Sequence, residues 1–407
     1  MKLNRLISIS VLMLSIAASG QNRNMDGPFK VNIGECDGGR IKVTPDIPAE
    51  GKEFPRGTVL KIKAIPDKGK VFECGYEAMN GQFAFFTEYF NEEFEVTVTG
   101  PCSVGASFVD PEFLSGHRTI HDVVYAKPGV KPLKYDVFIP DGAEGLPGVI
   151  IIHGGGWRMN CEDVMSGMAR EFTRNGKYVA FSIDYRWSGK ADGDKVPNTL
   201  AHLIEDCYGA ILHIQEHASE YGLDPTRLAV TGDSAGGHLC ASVANMIERI
   251  GNGGFGVEEG IYEYMPTYMP DGMTVAQARE SLEAIKAVAP NYGIFSSEGI
   301  GRFVRDLPEK GRAALAPLDN IPDPAFRKIP HWINRGTKDP LINEESTMEY
   351  FNALKAAGQE VHYIRIPEAV HAYYDWKPDA STKNTFWQYG APYTRQMEKF
   401  FDTIFYQ

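Results

Sequence analysis

Two hydrophobic rhythms divide the chain. Between residues 27 and about 110, apolar and polar positions alternate with period two, as in Arg40-Ile41-Lys42-Val43 and Val59-Leu60-Lys61-Ile62-Lys63-Ala64-Ile65, with Gly and Pro between the runs. Successive side chains of a strand face opposite ways, so this alternation predicts half-buried strands and a small all-β module. From about residue 117 the rhythm changes to short apolar runs separated by helical stretches. A hairpin is expected over His117 to Lys127 and Lys131 to Pro140. Further strands are expected at Val149 to Ile152, Tyr178 to Ile183, Leu228 to Val230, Ile285 to Ala289, Ile329 to Ile333 and Val361 to Ile366. Helices are expected near 162–175, 199–221, 235–250, 274–284, 343–357 and 384–406. Strands of this kind alternating with helices imply an α/β domain with a mostly parallel sheet covered on both faces. Chemistry in such sheets sits at the carboxyl ends of the strands.

The expected organisation is a leader at 1–20, the β-rich module at 27–110 and a catalytic α/β domain at 113–407. Two segments break the helix-strand rhythm, 251–273 and 296–327, and long excursions of this kind serve as lids or binding loops. Thr274 and Gln277 form a capping box that starts the helix after the first of them.

The first twenty residues belong to neither rhythm. Lys2 and Arg5 precede an apolar stretch from Leu6 to Ala18, and Ala18-Ser19-Gly20 supplies small residues for cleavage. The stretch is too short for a transmembrane span, so a secretory signal and a secreted or periplasmic protein are expected. The formal charge is −12, from 41 Lys+Arg against 53 Asp+Glu, and no long basic run exists. Nucleic acid and anionic membrane surfaces are therefore poor partners. The six cysteines show no C-x-x-C spacing, which argues against zinc. Cys207 and Cys240 fall in helical patterns and are expected to be buried, whereas Cys36, Cys74 and Cys102 permit one bridge with one thiol left over.

Gly232-Asp233-Ser234-Ala235-Gly236 lies directly after a predicted strand and before a predicted helix. That context suits a nucleophile elbow, where glycines allow a tight turn and the serine hydroxyl is pushed out at the helix N-terminus. His153-Gly154-Gly155-Gly156-Trp157 follows the strand at 149–152, and its glycines let backbone amides form a cavity for an oxyanion. Gly155, Gly156 and Ala235 are the candidate donors. In the order serine, acid, histidine, the partners should follow the last two strands, which selects Asp339 and His371. Asp323 precedes its strand and Glu344 is a second rival. His331 and His362 lie inside strands, and His202, His213 and His217 lie on a helix. Asp233 is expected to bond nearby backbone and Asp184 to pair with Arg186. Trp157, Tyr292 and Tyr374 are candidate pocket walls.

The set His153-Gly154-Gly155-Gly156, Asp184-Tyr185-Arg186 and Gly232-Asp233-Ser234-Ala235-Gly236-Gly237 resembles the hormone-sensitive-lipase-like branch of the α/β-hydrolases. Within that branch, His153 to Arg158 and Ser234 to Leu239 look most like bacterial feruloyl and acetylxylan esterases. The resemblance spans about residues 117–407. It implies an α/β-hydrolase fold and a serine ester hydrolase that needs no cofactor and no metal, acting on a small ester or an acylated polysaccharide. One departure stands out: many relatives continue Asp-Tyr-Arg with Leu-Ala-Pro, and here Trp187-Ser188-Gly189 follows. A peptidase on the same fold would often carry a propeller or large cap, and an adhesion protein would have no reason to keep the whole catalytic set. The Gly-rich runs of residues 38–41, 56–59, 66–72 and 104–108 resemble one unit of a bacterial extracellular β-repeat family. Lacking a nucleophile and base of its own, that module is expected to be dispensable for the chemical step, as either a tether or a packing partner.

Overall fold

The period-two residues of the N-terminal region pair as strands in two small sheets. A computed structural model describes residues 27–251, 264–304 and 307–406, and the expected leader lies outside the described residues. The first strands are β1 (Phe29–Ile33), β2 (Gly39–Thr44), β3 (Lys52–Phe54), β4 (Val59–Pro66), β5 (Val71–Met79), β6 (Phe86–Tyr89), β7 (Glu93–Thr97) and β8 (Cys102–Val109). They form a five-stranded sheet, β3-β1-β8-β5-β6, and a three-stranded sheet, β2-β4-β7. In β4 the alternation does what the pattern requires: Leu60, Ile62 and Ala64 are buried while Val59, Lys61 and Lys63 face solvent. Val31, Phe94, Val96 and Val104 complete the core between the sheets.

The eight-stranded sheet that follows consists of β9 (His117–Ala126), β10 (Leu133–Pro140), β11 (Leu146–Ile152), β12 (Val179–Ile183), β13 (Leu223–Asp233), β14 (Ile285–Asn291), β15 (His331–Gly336) and β16 (Val361–Ile366). Its order is β16-β15-β14-β13-β11-β12-β10-β9. β9 and β10 run antiparallel at one edge, and β11 to β16 are parallel. Val149 to Ile152 in β11 are wholly buried, as a strand covered on both faces must be. The helices are α1 (Ser166–Thr173), α2 (Leu200–Glu216), α3 (Ala218–Tyr221), α4 (Ala235–Asn245), α5 (Val275–Leu282), α6 (Ser297–Phe303), α7 (Glu309–Leu315), α8 (Glu344–Ala356), α9 (Ala380–Thr385) and α10 (Ala391–Phe405). Among the described residues no helix is long and apolar enough to cross a membrane.

Thr274 and Gln277 do form the capping box that starts α5. Four expected helices are interrupted. The 162–175 stretch opens as a 3-10 turn at Glu162–Met165, the 199–221 stretch breaks at His217, the 235–250 stretch leaves α4 for a 3-10 turn at Ile247–Arg249, and the last is split by a π-turn at Phe386–Gly390. Strand β13 runs three residues beyond Val230, because Thr231, Gly232 and Asp233 stay in register with Ala289, Pro290 and Asn291. The apolar run is thus shorter than the hydrogen-bonded ladder.

All six cysteines are free thiols, so the permitted bridge among Cys36, Cys74 and Cys102 is not made. Cys74 stands opposite Ser107, whereas Cys102 stands opposite Met79, five positions along β5 from Cys74. At about 3.3 Å per residue that separation far exceeds the reach of a disulfide. Cys207 and Cys240 are buried as expected.

The β-module packs on the α/β domain through a buried ion cluster. Glu73 of β5 meets Arg170 of α1 at 2.5 Å and Lys383 of α9 at 3.2 Å. It also accepts hydrogen bonds from Trp376 Nε1 at 2.7 Å and Ser107 Oγ at 2.5 Å. Burial alone would raise the Glu73 carboxyl, but Lys383, Arg170 and the two hydrogen bonds outweigh it and hold the group at about 2. The module thus packs on the α/β domain with a buried carboxylate facing two cations across the junction.

Candidate active site

Ser234 sits where β13 turns into α4, with φ 52° and ψ −114°. That backbone conformation is strained for a side-chain-bearing residue and is held from several sides. Its amide donates to the Asn291 carbonyl at 3.0 Å. A Cβ on Gly236 would collide with the Ile152 carbonyl, and one on Gly237 would lie 2.6 Å from the Asn291 carbonyl. Both obstacles are backbone, which side-chain motion cannot relieve. Gly236→Ala should therefore lower the melting temperature strongly or leave the protein insoluble, a result that expression and thermal melting would read directly.

The structure brings the three candidates for the catalytic relay together. His371 Nε2 lies 2.8 Å from Ser234 Oγ, and His371 Nδ1 lies 2.8 Å from Asp339 Oδ2. The other carboxylate oxygen of Asp339 accepts from the amides of Leu341 at 2.8 Å and Ile342 at 3.0 Å. Burial works to raise the Asp339 carboxyl, while His371 and those two amides hold it below its ordinary value. The rivals are occupied elsewhere: Asp323 accepts from the Ala325 amide, and Glu344 pairs with Arg365.

The loop after β11 supplies the second half of the site. Gly155 and Gly156 have φ of 118° and 60°, a region open to glycine. Among the described residues, the amides of Gly155, Gly156 and Ala235 donate to no protein group. Ala235 opens α4, so its amide is one of the unfulfilled donors of a helix N-terminus. Asp233 bonds nearby backbone as expected, accepting from the Gly154 amide at 2.6 Å, and so ties the nucleophile turn to the glycine loop. Burial and then the neighbouring Asp375 push the Asp233 carboxyl up to about 7.

The three aromatic residues expected to wall a pocket are closed to solvent instead. Trp157 donates from Nε1 to His238 Nδ1 at 3.3 Å. Tyr292 donates to Asp233 Oδ2 at 3.3 Å, and its ring lies 4.9 Å from that of His371. Tyr374 accepts from Asn334 Nδ2 at 2.7 Å. Each fills the space behind the site because other segments cover it, which no local pattern reports. The expected Asp184–Arg186 pair is not formed either. Asp184 meets Lys131 at 2.8 Å and His153 at 3.2 Å, and Arg186 meets Asp206 at 2.7 Å. Helix α2 brings Asp206 under the guanidinium, and the β9–β10 turn brings Lys131 to Asp184.

His238 was not among the sequence candidates. Its Nε2 donates to the Leu315 carbonyl at 2.9 Å, leaving Nδ1 to accept from Trp157, and burial lowers its pKa to about 4. Its position one turn after the serine was the only local signal. Away from the triad, Asp136, Glu162 and Asp163 bring carboxylate oxygens within 4.8 Å of one another. Asp136 is already engaged by His121 at 2.6 Å and by the Asp122 amide at 2.9 Å. Burial, then the charges of Asp184 and Asp136, push Glu162 up to about 8, so this cluster retains protons near neutrality.

A serine held out above a parallel sheet, relayed through histidine to a carboxylate and faced by free amides, defines a serine hydrolase that works by acyl transfer. A family model described as alpha/beta hydrolase fold matches residues 149–375, more than half of the chain, and the chain belongs to that family. Carboxylesterase NlhH of Mycobacterium tuberculosis is 29% identical over 234 residues, which cover 56% of this chain and 67% of NlhH. Esterase LipI of the same species is 29% identical over 240 residues, 58% of this chain and 67% of LipI. Esterase 2 of Thermogutta terrifontis shares the fold with a TM-score of 0.51 at 19% identity, over 72% of this chain and 96% of that one.

Proposed function

We propose that this chain is a secreted or periplasmic serine carboxylesterase that removes short acyl or feruloyl groups from plant polysaccharides. The observation that carries the catalytic part is the continuous bonding from Ser234 through His371 to Asp339 beside three unengaged amides. His371 takes the Ser234 proton as Oγ attacks the ester carbonyl, and the amides of Gly155, Gly156 and Ala235 receive the oxyanion. His371 then gives that proton to the leaving alcohol. In the second step it activates water, which releases the acid and restores Ser234, while Asp339 keeps Nδ1 protonated throughout. Ala235 opens an eleven-residue helix, whose N-terminus adds a favourable field for the developing negative charge.

The motif set and the surface beside the site support the substrate class. The motif resemblance is to acetylxylan and feruloyl esterases. A groove of about 720 Å³ between α6 and α8 mixes polar residues such as Arg302, Glu345, Glu349 and Asn352 with two aromatic rings, Phe295 and Phe303, and with Ile294, Leu341, Ile342 and Met348. This mixture of stacking rings and hydrogen-bonding groups is compatible with a sugar-bearing alcohol, although no triad residue lines the groove. Export is supported by Lys2, Arg5 and the apolar stretch after them. A panel of acetyl, butyryl, feruloyl and longer acyl esters tests the reading. Acetyl to butyryl esters should turn over faster than chains beyond about eight carbons, which would need a larger apolar wall. Deacylation of an esterified xylan should accompany that preference. A preference for long-chain triglyceride emulsions, or no release of acid from acylated xylan, would overturn the substrate assignment.

A further inference from the structure

The departure at Trp187-Ser188-Gly189 connects two parts of the molecule that sequence order keeps apart. Ser188 donates its amide to the Trp157 carbonyl at 2.6 Å, and its hydroxyl accepts from Arg158 Nε at 3.2 Å. Trp187 Nε1 donates to the Asn160 carbonyl at 3.0 Å. Three bonds thus hold the far limb of the glycine loop, residues 157–160. Asn160 in turn reaches back to the Gly154 carbonyl through Nδ2 at 3.4 Å. On its other side Trp187 meets the β-module. The Phe85 ring, in the connection between β5 and β6, stands edge-on to the Trp187 ring at 5.8 Å, and the Ala84 carbonyl accepts from the Asn160 amide at 3.4 Å. Lys131 Nζ lies 4.4 Å from the centre of the indole while bonded to Asp184, which leaves the ring little freedom.

We infer that Trp187 is a positioning residue for the oxyanion loop, and that the Ala84-Phe85 turn of the β-module braces it, so that the module contributes to the chemical step without touching substrate. The physical reason is the composition of the loop. Three consecutive glycines have wide backbone freedom, and an oxyanion hole works only if its donors are fixed before charge develops. Asp233 pins the near end at Gly154, and the Trp187-Ser188 bridge pins the far end. Loss of one tether should loosen the Gly155 and Gly156 amides and weaken transition-state binding more than ground-state binding. On this inference the module is not dispensable for the chemical step, contrary to the expectation drawn from the sequence.

This inference rests on the serine-hydrolase reading of the site around Ser234, and the experiment separates the two. In the full-length protein, Trp187→Phe removes the indole N–H and keeps a ring, Phe85→Ala removes the brace, and Phe85→Tyr preserves it. Each is assayed on a soluble aryl acetate, with affinity for an aryl boronate, which forms a tetrahedral adduct on the serine, as a second readout. Trp187→Phe and Phe85→Ala should lower kcat roughly tenfold and weaken the boronate by a similar factor with KM changed less than about twofold, while Phe85→Tyr stays near wild type. Wild-type kcat in folded Trp187→Phe, or a fall in melting temperature with no kcat change in Phe85→Ala, overturns the inference. Should Phe85→Ala not fold, Trp187→Phe alone decides. Full activity in Ser234→Ala would instead overturn the underlying catalytic reading.

Discussion

Ser234→Ala should abolish turnover of soluble aryl esters, with kcat falling by roughly 10⁴- to 10⁶-fold toward background. The change deletes one hydroxyl whose only described hydrogen-bond partner is His371, so melting temperature should stay close to wild type. His371→Ala should be similarly inactive. Asp339→Asn is the more informative variant. An asparagine can still accept from the Leu341 and Ile342 amides, but its NH₂ then faces His371 Nδ1 and favours the wrong imidazole tautomer. Activity should fall by up to about 10⁴-fold with the fold retained. Steady-state kinetics on the purified variants checks all three. A folded Ser234→Ala enzyme with near wild-type kcat would exclude Ser234 as nucleophile.

A large stability effect is also expected at Glu73. Truncation to alanine leaves Arg170 and Lys383 buried without their carboxylate, and removing one partner of such a cluster typically costs about 3–5 kcal/mol. The same residue sets an acid limb for stability. Its carboxyl is held at about 2 in the folded protein against an ordinary value of 4.5. Its contribution is therefore complete above about pH 4.5 and is lost as pH falls toward 2, about 3 kcal/mol in all. Glu162 acts in the opposite sense. With its carboxyl raised to about 8, the folded state keeps a proton that the unfolded chain releases above about 4.5, so stability declines from there to about pH 8. Thermal melting of the full-length protein across pH reads these contributions together with that of His238, lowered by burial to about 4, whose share is present above about 6.5 and lost as pH falls toward 4. In Glu73→Gln the decline below pH 4.5 should flatten, and an unchanged acid limb would contradict the role of this carboxylate.

Much of the candidate site was legible because its constraints are local. The glycines around Ser234 are demanded by backbone atoms of the adjoining strands and turn, such as the Ile152 carbonyl beside Gly236, and that demand leaves a short motif. Asp339 and His371 were readable because each lies just beyond an apolar strand, and strand ends in a parallel sheet converge on one edge. The aromatic residues were not readable in this way. Trp157, Tyr292 and Tyr374 occupy the expected neighbourhood, yet the segments around His238, Asp233 and Asn334 close over them.

By itself, then, the sequence determined the strand and helix order, the elbow and the glycine loop, since periodicity and backbone freedom are properties of neighbouring residues. The tertiary structure alone decided which distant charges meet and which faces close. Glu73 finds Arg170 across 97 positions and Trp376 across 303, and Trp187 joins the glycine loop to Phe85 of the module. No local pattern encodes such partners, because a buried charge or ring is satisfied by whatever the packing of other elements brings within a few ångströms of it.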